Sequence, residues 1–313
     1  MQRLAKTRKR RMRIRWGRVF GAFLLIGIFM IGLFTVFQSI QGTVKKLSQP
    51  TELVKANDSP DKGEKKMEAV NVLLLGSDSR GEEHSRTDTI MVAHYDPETS
   101  NVKLISLMRD MYVFIPEHGQ QKLNAAYTYG GTELLRETIQ LNFGLDIDRY
   151  AVVDFKGFEK AVDLLVPDGI EVDIPYEMSD GIGMTLEPGT QRLNGKELLG
   201  YVRFRQDRLS DFGRVERQQE VVSKLKEEAA GLHSVVKIPQ LLDLLDTYIE
   251  TNIETSTLLT MGKDILANEG GDIETLRLPE EGSFENQSYD GIGDVLEVDF
   301  RQNKIALNQF LKN

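Results

Sequence analysis

The chain has 313 residues, 40% of them hydrophobic, so it is long enough for one or two domains with a substantial core. It contains no cysteine, which excludes disulfides, thiolate metal sites and cysteine-based catalysis. Its net charge is -9, and nine Lys or Arg residues and no acid lie in residues 1–18. The remainder is therefore even more acidic, which argues against nucleic-acid binding by the main body of the protein.

An uncharged apolar segment follows the basic N terminus. As a helix, residues 19–37 are long enough to cross a hydrocarbon layer of about 30 Å. The basic residues before it predict a cytoplasmic N terminus. We therefore expect a cytoplasmic segment at 1–18 and a single transmembrane helix at 19–38. A cleaved signal peptide is the alternative, although the apolar run is long for one and no Ala-x-Ala site follows it.

The rest of the chain is expected outside the cell membrane. Residues 39–68 are polar, contain Pro50, Pro60 and Gly63, and are typical of a linker. A single folded domain is expected at residues 69–313. Because the exported part has no cysteine, we expect an envelope of the Gram-positive type, where disulfides are not the usual staple.

Predicted strands and helices alternate along this domain. Apolar runs predict strands at residues 70–75, 89–95, 102–107, 150–155, 169–174, 273–278 and 295–298. Helical patterns occur at residues 132–142, 158–165, 197–201, 214–230, 238–249, 256–266 and 301–311. The turn-rich residues 96–101 predict a hairpin. This order predicts an α/β fold with a central mixed β-sheet flanked by helices.

A first cluster of charged residues lies where predicted strands begin or end. Its members are Asp78, Arg80, Arg86, Asp88 and Arg109. Ligands gather at the carboxyl ends of strands in α/β sheets, and paired carboxylates with phosphate oxygens and water suit Mg²⁺. The loop after the first strand has neither a P-loop nor a dinucleotide fingerprint. The alternative is that the acids cap turns and the arginines pair with them.

A second cluster lies about a hundred residues further on. Arg203 and Arg205 are two residues apart, so an extended backbone points both side chains to one side. Asp211 is the predicted N-cap of the next helix, and Arg214 and Arg217 share one face near its N terminus, where anions bind. The alternative is a surface of salt bridges with neighbouring acids.

Together the clusters predict a site for a phosphate ester, because guanidinium groups stay charged and match phosphate oxygens. Mg²⁺ with several arginines neutralises a diphosphate, which indicates phosphoryl transfer or diphosphate hydrolysis. Asp211 and the metal-site carboxylates are the candidate bases. The apolar helices after residue 231 indicate either core or the wall of a pocket for a lipid chain.

With these residues the chain resembles the LytR–CpsA–Psr family of cell-wall enzymes. The matching stretches are LLLGSDSR at 73–80, SRTD at 85–88, SLMRD at 106–110, KLNAAY at 122–127, GG at 130–131, YVRFR at 201–205 and DFGRVERQQ at 211–219. The similarity covers roughly residues 70–230. Met108 stands where family patterns commonly have Pro.

The resemblance implies a membrane-anchored phosphotransferase. Such enzymes move a phosphoglycan, such as wall teichoic acid or capsule, from an undecaprenyl diphosphate carrier to peptidoglycan. By resemblance Asp78 and Asp88 hold Mg²⁺, and an apolar channel takes the polyprenyl tail. The residues implied in diphosphate binding are Arg80, Arg86, Arg109, Arg203, Arg205, Arg214, Arg217 and Gln218. The residues implied in catalysis are Arg109, Arg203, Arg205 and Asp211.

Three other functions remain open at this point. A diphosphatase uses the same site with water as acceptor. A non-enzymatic regulator of the cell envelope is the second, although the cytoplasmic part is too short for a DNA-binding unit and the acidic outer domain repels DNA. A surface module that binds anionic polymers through its arginines, without Mg²⁺, is the third.

Overall fold

The structure, a computed structural model, describes residues 69–77, 87–99, 101–207, 210–229, 240, 244, 247–267 and 273–312. All of these lie in a compact unit, Lys65–Asn313. The predicted cytoplasmic, transmembrane and linker segments lie outside the described residues. Of the helices that the structure describes, none is both long and apolar enough to span a bilayer.

Strands and helices alternate through the described residues. The strands are β1 Val70–Ser77, β2 Thr87–Asp96, β3 Asn101–Leu107, β4 Met111–Ile115, β5 Gly119–Lys122, β6 Arg149–Asp154, β7 Ile170–Ile174, β8 Gly189–Leu193, β9 Ile249–Thr251, β10 Glu274–Leu278, β11 Phe284–Tyr289 and β12 Gly293–Val298. The helices are α1 Leu123–Phe143, α2 Phe155–Leu165, α3 Gly195–Arg203, α4 Asp211–Ala229, α5 Thr255–Ala267 and α6 Phe300–Lys312.

The main sheet has six strands in the order β10-β3-β2-β1-β6-β9. β1 and β6 pair in parallel, as do β3 and β10, whereas β1–β2, β2–β3 and β6–β9 are antiparallel. The predicted mixed sheet flanked by helices is therefore confirmed. The hairpin is confirmed as well, because Asp96 pairs with Asn101.

Two smaller sheets were not predicted. One has four strands in the order β11-β12-β4-β5, and the other is the β7-β8 pair. The sequences of β5, β8 and β11 (GQQK, GTQRL and FENQSY) are mostly polar. Because these are edge strands, they lack the apolar alternation by which a strand is recognised.

Strand direction brings the sequence clusters together. β1 ends, β2 begins and β3 ends at the same edge of the main sheet, since the two neighbouring pairs are antiparallel and Ser77 lies opposite Thr87. Asp88 lies at the start of β2, and Arg109 follows β3 by two residues. This edge therefore holds the site.

Two apolar cores lie on this framework. The first packs the main sheet with α1 and the four-stranded sheet, and Leu73, Ile105 and Leu135 are fully buried in it. The second is formed by α2, α3, α4 and the β7-β8 pair, with Ile170 and Leu198 fully buried. Full burial of each such side chain contributes about 1.5–3 kcal/mol. The second core holds α3 and α4 as a layer that carries the second arginine cluster.

Helix α1 begins at Leu123, before the predicted start at residue 132, and two glycines interrupt it. Gly131 has φ +63°, a left-handed conformation that favours glycine, and the helix is broken there. Helix α3 begins with a capping box in which Asn194 accepts from the backbone N–H of Glu197. A Cβ on Gly195 would lie 2.1 Å from the carbonyl oxygen of Glu159, so glycine permits the close approach of α3 to α2.

Candidate functional site

Arg109 lies in a tight connection between β3 and β4. The backbone N–H of Met108 donates to the carbonyl oxygen of Leu278 over 2.9 Å, and the carbonyl oxygen of Arg109 accepts from the N–H of Asn124 over 3.2 Å. The start of α1 and the end of β10 thus fix this segment. The predicted end of this strand at residue 107 is confirmed, and Arg109 follows two residues later.

A chain of alternating charges crosses the site. Arg109 donates from Nη1 to Asp88 and from Nε to Oδ2 of Asp211 over 2.9 Å. The same Oδ2 accepts from Nη2 of Arg214 over 2.9 Å. The order is therefore Asp88, Arg109, Asp211, Arg214, and it joins both sequence clusters. Part of the alternative interpretation also holds, since these arginines do pair with aspartates.

Asp211 differs from its predicted role as a helix cap. It is the first residue of α4, so Ser210 holds the position before the helix. The carboxylate of Asp211 accepts hydrogen bonds from the side chains of Arg109 and Arg214. Its carboxylate is therefore part of the site as well as near a helix terminus whose partial positive charge stabilises an acid.

Burial and neighbouring charges shift the proton affinities in this chain. Burial acts to lower the pKa of Arg109, but Asp211 and Asp88 outweigh it and the pKa is raised. Burial raises the pKa of Asp211, against the lowering effect of Arg214 and Arg109. Burial also lowers the pKa of Arg214, which Asp211 partly offsets. A raised pKa makes Asp211 a better proton acceptor than an ordinary carboxylate.

An apolar cavity of about 330 Å³ opens beside this chain of charges. It lies between the main sheet, which contributes Leu75 and Met91, and the layer of helices, which contributes Phe158, Leu199 and Val222. Such a volume falls in the range of small-molecule sites. The polar residues of the lining are Asp88, Thr89, Asp154, Asp180, Arg203, Arg205, Gln206, Arg214 and Gln218.

Both arginines of the YVRFR motif line this cavity. Arg203 is the last residue of α3, and its guanidinium lies 4.6 Å from the ring centre of Phe155. Arg205 lies beyond the helix, after Phe204, whose backbone is extended, and Arg205 is exposed. Neither forms an ion pair within the described part of the chain. The predicted extended backbone is wrong for Arg203, which is helical, but both arginines line the same cavity.

Arg214 is the arginine most deeply placed in the site. The residue is 4% exposed and lines the apolar cavity. Its Nε has no hydrogen-bond partner among the described residues. A buried donor without a partner costs about 1–3 kcal/mol, so an acceptor from water or from a ligand in the cavity would stabilise this atom.

Gln218 lies one turn further along α4 and is also buried. Its amide nitrogen donates to Oγ1 of Thr89 over 2.9 Å. This contact ties α4 to the start of β2, beside Asp88. Thr89 lines the cavity, but the sequence analysis did not predict it as a site residue. Its position next to Asp88 is the sequence signal that could have indicated it.

Arg217 points away from the cavity. Its Nη1 donates to Asp207 over 2.7 Å, its Nε donates to the carbonyl oxygen of Tyr201 over 3.1 Å, and its Nη2 donates to the carbonyl oxygen of Phe204. All of its nitrogens are therefore engaged in holding the segment that carries Arg205. The predicted shared face with Arg214 does not place the two guanidiniums in one site.

The remaining predicted residues Asp78, Arg80 and Arg86 lie outside the described residues. Asp88 is the predicted metal ligand that the structure describes, and its side chain is 48% exposed at the cavity. Within the described ranges no group of three or more acids and histidines could hold a metal. Mg²⁺ commonly binds through one or two carboxylates plus phosphate oxygens and waters, so an accessible Asp88 fits this ion.

Comparison with known proteins identifies relatives of this chain. The chain is 43% identical over 242 residues to the regulatory protein MsrR of Staphylococcus aureus strain COL, covering 77% of this chain and 74% of that one. It is 30% identical over 271 residues to the polyisoprenyl-teichoic acid–peptidoglycan teichoic acid transferase TagU of Oceanobacillus iheyensis, covering 82% and 83%.

The fold has solved relatives as well. The crystal structure of Bacillus subtilis TagV superposes with a TM-score of 0.65 at 26% identity, covering 78% of this chain and 98% of TagV. The model of the LytR_cpsA_psr family matches residues 34–307. The chain therefore belongs to the LytR–CpsA–Psr family.

Proposed function

We propose that this protein is a phosphotransferase that moves a cell-wall glycopolymer, of the teichoic acid or capsule type, from undecaprenyl diphosphate to peptidoglycan. The observation that carries the proposal is the buried guanidinium of Arg214, whose Nε lacks a partner among the described residues while it lines an apolar cavity. Apolar walls with a cationic end match an amphipathic ligand with a phosphate head. The name of TagU, a transferase of polyisoprenyl-linked teichoic acid, supports the same ligand.

The lipid end of the carrier occupies the apolar cavity. Leu199, Val222 and Phe158 contact the isoprene units nearest the diphosphate. Burial of this apolar surface supplies affinity at about 25 cal/mol per Å². The diphosphate then lies at Arg203, Arg205 and Arg214, whose planar forks match phosphate oxygens.

The reaction is an exchange of one phosphorus–oxygen bond for another. A hydroxyl oxygen of the acceptor bonds to the phosphorus that carries the glycopolymer, and the bond from that phosphorus to the bridging oxygen breaks. Polyprenyl monophosphate leaves with the bonding electrons, and the hydroxyl proton passes to a base. Asp211 is the candidate base because burial raises its pKa.

The arginines stabilise the charge that develops on the leaving phosphate. Arg205 and Arg214 act directly, and Arg109 holds Asp88 and Asp211 in place between them. When bound at Asp88 and Asp78, Mg²⁺ supplies further charge neutralisation at the diphosphate. The polar network thus orients the reactants while the apolar cavity holds the carrier.

The proposal includes an anchor and a location. Residues 19–38 form the single transmembrane helix, with the N terminus in the cytoplasm and the domain on the outer side of the membrane. This places the cavity where a membrane-borne carrier and the cell wall meet. Alkaline-phosphatase fusions after residue 38, active only outside the cytoplasm, test the orientation.

The test of function uses the full chain in detergent, a synthetic undecaprenyl diphosphate disaccharide as donor, and uncross-linked peptidoglycan glycan strands as acceptor. Mass spectrometry should detect undecaprenyl monophosphate and a glycan strand that has gained the disaccharide phosphate. Asp88→Asn should abolish both products.

Other outcomes identify the alternatives. Release of undecaprenyl monophosphate with no modified strand indicates a diphosphatase. Donor binding without either product, unchanged in Asp88→Asn, indicates a binding module. If the protein neither binds the donor nor forms product, the remaining alternative is the regulatory role that the name of MsrR describes for that relative.

A further inference from the structure

A second cavity lies on the other side of the chain of charges. Its volume is about 480 Å³. Arg109 and Asp211 line this second cavity, whereas Asp88 and Arg214 line the apolar one. The alternating charges therefore form a partition between the two cavities. Arg205 belongs to both linings, as does its neighbour Gln206.

The second cavity differs from the first in chemistry. The four-stranded sheet contributes Asn286 and Asp294 to its wall. Gln206 and Ser210 come from the segment before α4, and Lys122 comes from the end of β5. This wall is rich in amide, hydroxyl and charged groups, so it does not suit a second lipid chain.

Most of its cations are already neutralised. Lys122 donates to Oδ1 of Asp110 over 2.9 Å, and Arg109 is paired with Asp88 and Asp211. A polyanion would have to compete with these carboxylates. The cavity is therefore suited to a neutral polar ligand.

Several uncharged or acceptor groups on the wall are free to bind such a ligand. Within the described ranges, no side-chain hydrogen bond is made by Gln206, Asn286 or Asp294. Amides both donate and accept, and a carboxylate accepts, which matches the mixed donors and acceptors of a sugar.

The position agrees with the direction of attack. In phosphoryl transfer the attacking and leaving oxygens lie roughly in line on opposite sides of the phosphorus. The lipid phosphate leaves toward the apolar cavity, so the acceptor must approach from the other side. The second cavity meets the first at Arg205 and Gln206, where the phosphorus is expected.

We propose that the second cavity binds the glycan acceptor and presents its hydroxyl to the phosphorus across the partition. This inference rests on the proposed function for the identity of the acceptor. Asn286 and Asp294 lie on one face of the β11-β12 hairpin, since Asn286 pairs with Leu296 and Asp294 lies two residues from Leu296. They are positions for specificity that lie apart from the arginines.

The experiment fills the cavity from its far wall. In the full chain, Asn286→Trp should weaken binding of labelled uncross-linked glycan strands at least tenfold and raise the acceptor KM in parallel. Binding of undecaprenyl diphosphate should not change. The matched control is Gln287→Trp, which places the same bulk one residue away on the opposite face of β11, where the residue is exposed and lies outside the cavity lining.

The outcomes separate the inference from the function on which it rests. Unchanged strand binding in Asn286→Trp, or an equal loss in Gln287→Trp, overturns the acceptor site. If Asn286→Trp does not fold, Asp294→Asn is judged by the same binding measurement. If the wild type transfers nothing but its strand binding is lost in Asn286→Trp, the glycan site stands and the proposed transferase function falls.

Discussion

The Nε of Arg109 lies 2.9 Å from Oδ2 of Asp211, although 102 residues separate the two in the chain. This contact joins the connection after β3 to the first residue of α4. It brings together the two charged clusters of the sequence, and it forms the middle of the partition between the two cavities.

Replacement of Arg109 should cost the protein its activity. Arg109→Ala releases Asp88 and Asp211 together, and we expect transfer to fall at least about 100-fold, the size of effect that misplaced catalytic groups can have. Arg109→Lys should restore little, because an ammonium cannot bridge two carboxylates as a planar fork does. Initial transfer rates measure this. Arg301→Ala, an exposed arginine on α6, is the control and should behave as wild type.

Replacement of Arg217 should reduce the stability of the protein more than its ligand binding. Arg217→Met removes the cation that pairs with Asp207, whose side chain is 3% exposed and keeps the hydrogen bond from Tyr176, and it frees two backbone carbonyls. Loss of one member of a buried ion pair costs about 3–5 kcal/mol. Urea unfolding should show a loss of this order, and Asp207→Asn added to Arg217→Met should recover part of it.

Replacement of Arg203 should affect donor binding more than stability. Its guanidinium stacks on Phe155 and lines the apolar cavity, so Arg203→Ala should lose about 0.5–1 kcal/mol of stability or less. Donor binding should nevertheless weaken about tenfold or more. A larger loss of stability in Arg203→Ala than in Arg217→Met would contradict both assignments.

Acid should remove the contribution of Asp207. Burial acts to raise the pKa of Asp207, but hydrogen bonds from Arg217 and Tyr176 outweigh it and lower the pKa. Because the folded pKa lies below the unfolded value of about 3.9, the stabilisation is present above that pH and is lost as pH falls through the folded pKa. The difference in unfolding free energy between wild type and Asp207→Asn should therefore be constant from pH 7 to 5 and shrink below pH 4.

A bulky side chain in the apolar cavity should exclude the lipid and spare the phosphate site. Val222→Trp places an indole in the space between sheet and helices. Binding of undecaprenyl diphosphate should weaken at least tenfold, while inorganic diphosphate binds as before. Glu227→Trp lies on the same helix at an exposed position outside the lining and should bind both ligands normally.

Removal of divalent cations should stop transfer. EDTA is expected to abolish product formation, and added Mg²⁺ should restore it. Asp88→Gln, which removes the charge of the exposed carboxylate, should raise the Mg²⁺ concentration for half-maximal rate at least tenfold, or abolish the rate. Full activity in EDTA would rule out the metal.

Some features of the fold depend on the local sequence and could be predicted from it. β1, β2, β3 and β6 are apolar runs bounded by turn residues, and each was found within a few positions of its bounds. The start of α1 was missed because Gly130 and Gly131 are read as breakers, yet the chain is helical on both sides of the kink at these glycines. The polar strands β5, β8 and β11 were missed because they have no apolar alternation of their own. They are strands because they pair with a neighbouring strand.

The sequence by itself determined the class of the fold and the two clusters of arginines and acids, and it predicted a ligand rich in phosphate, because these depend on residue type and short-range order. Only the tertiary structure decided which groups meet. It buried Arg214 at the cavity and directed Arg217 to the carbonyl oxygens of Tyr201 and Phe204, although the two arginines lie three residues apart on one helix. It also opened a second cavity behind Arg109. Such outcomes depend on strand register and on the packing of helices onto a sheet, which bring together residues about a hundred positions apart and leave no trace in local periodicity.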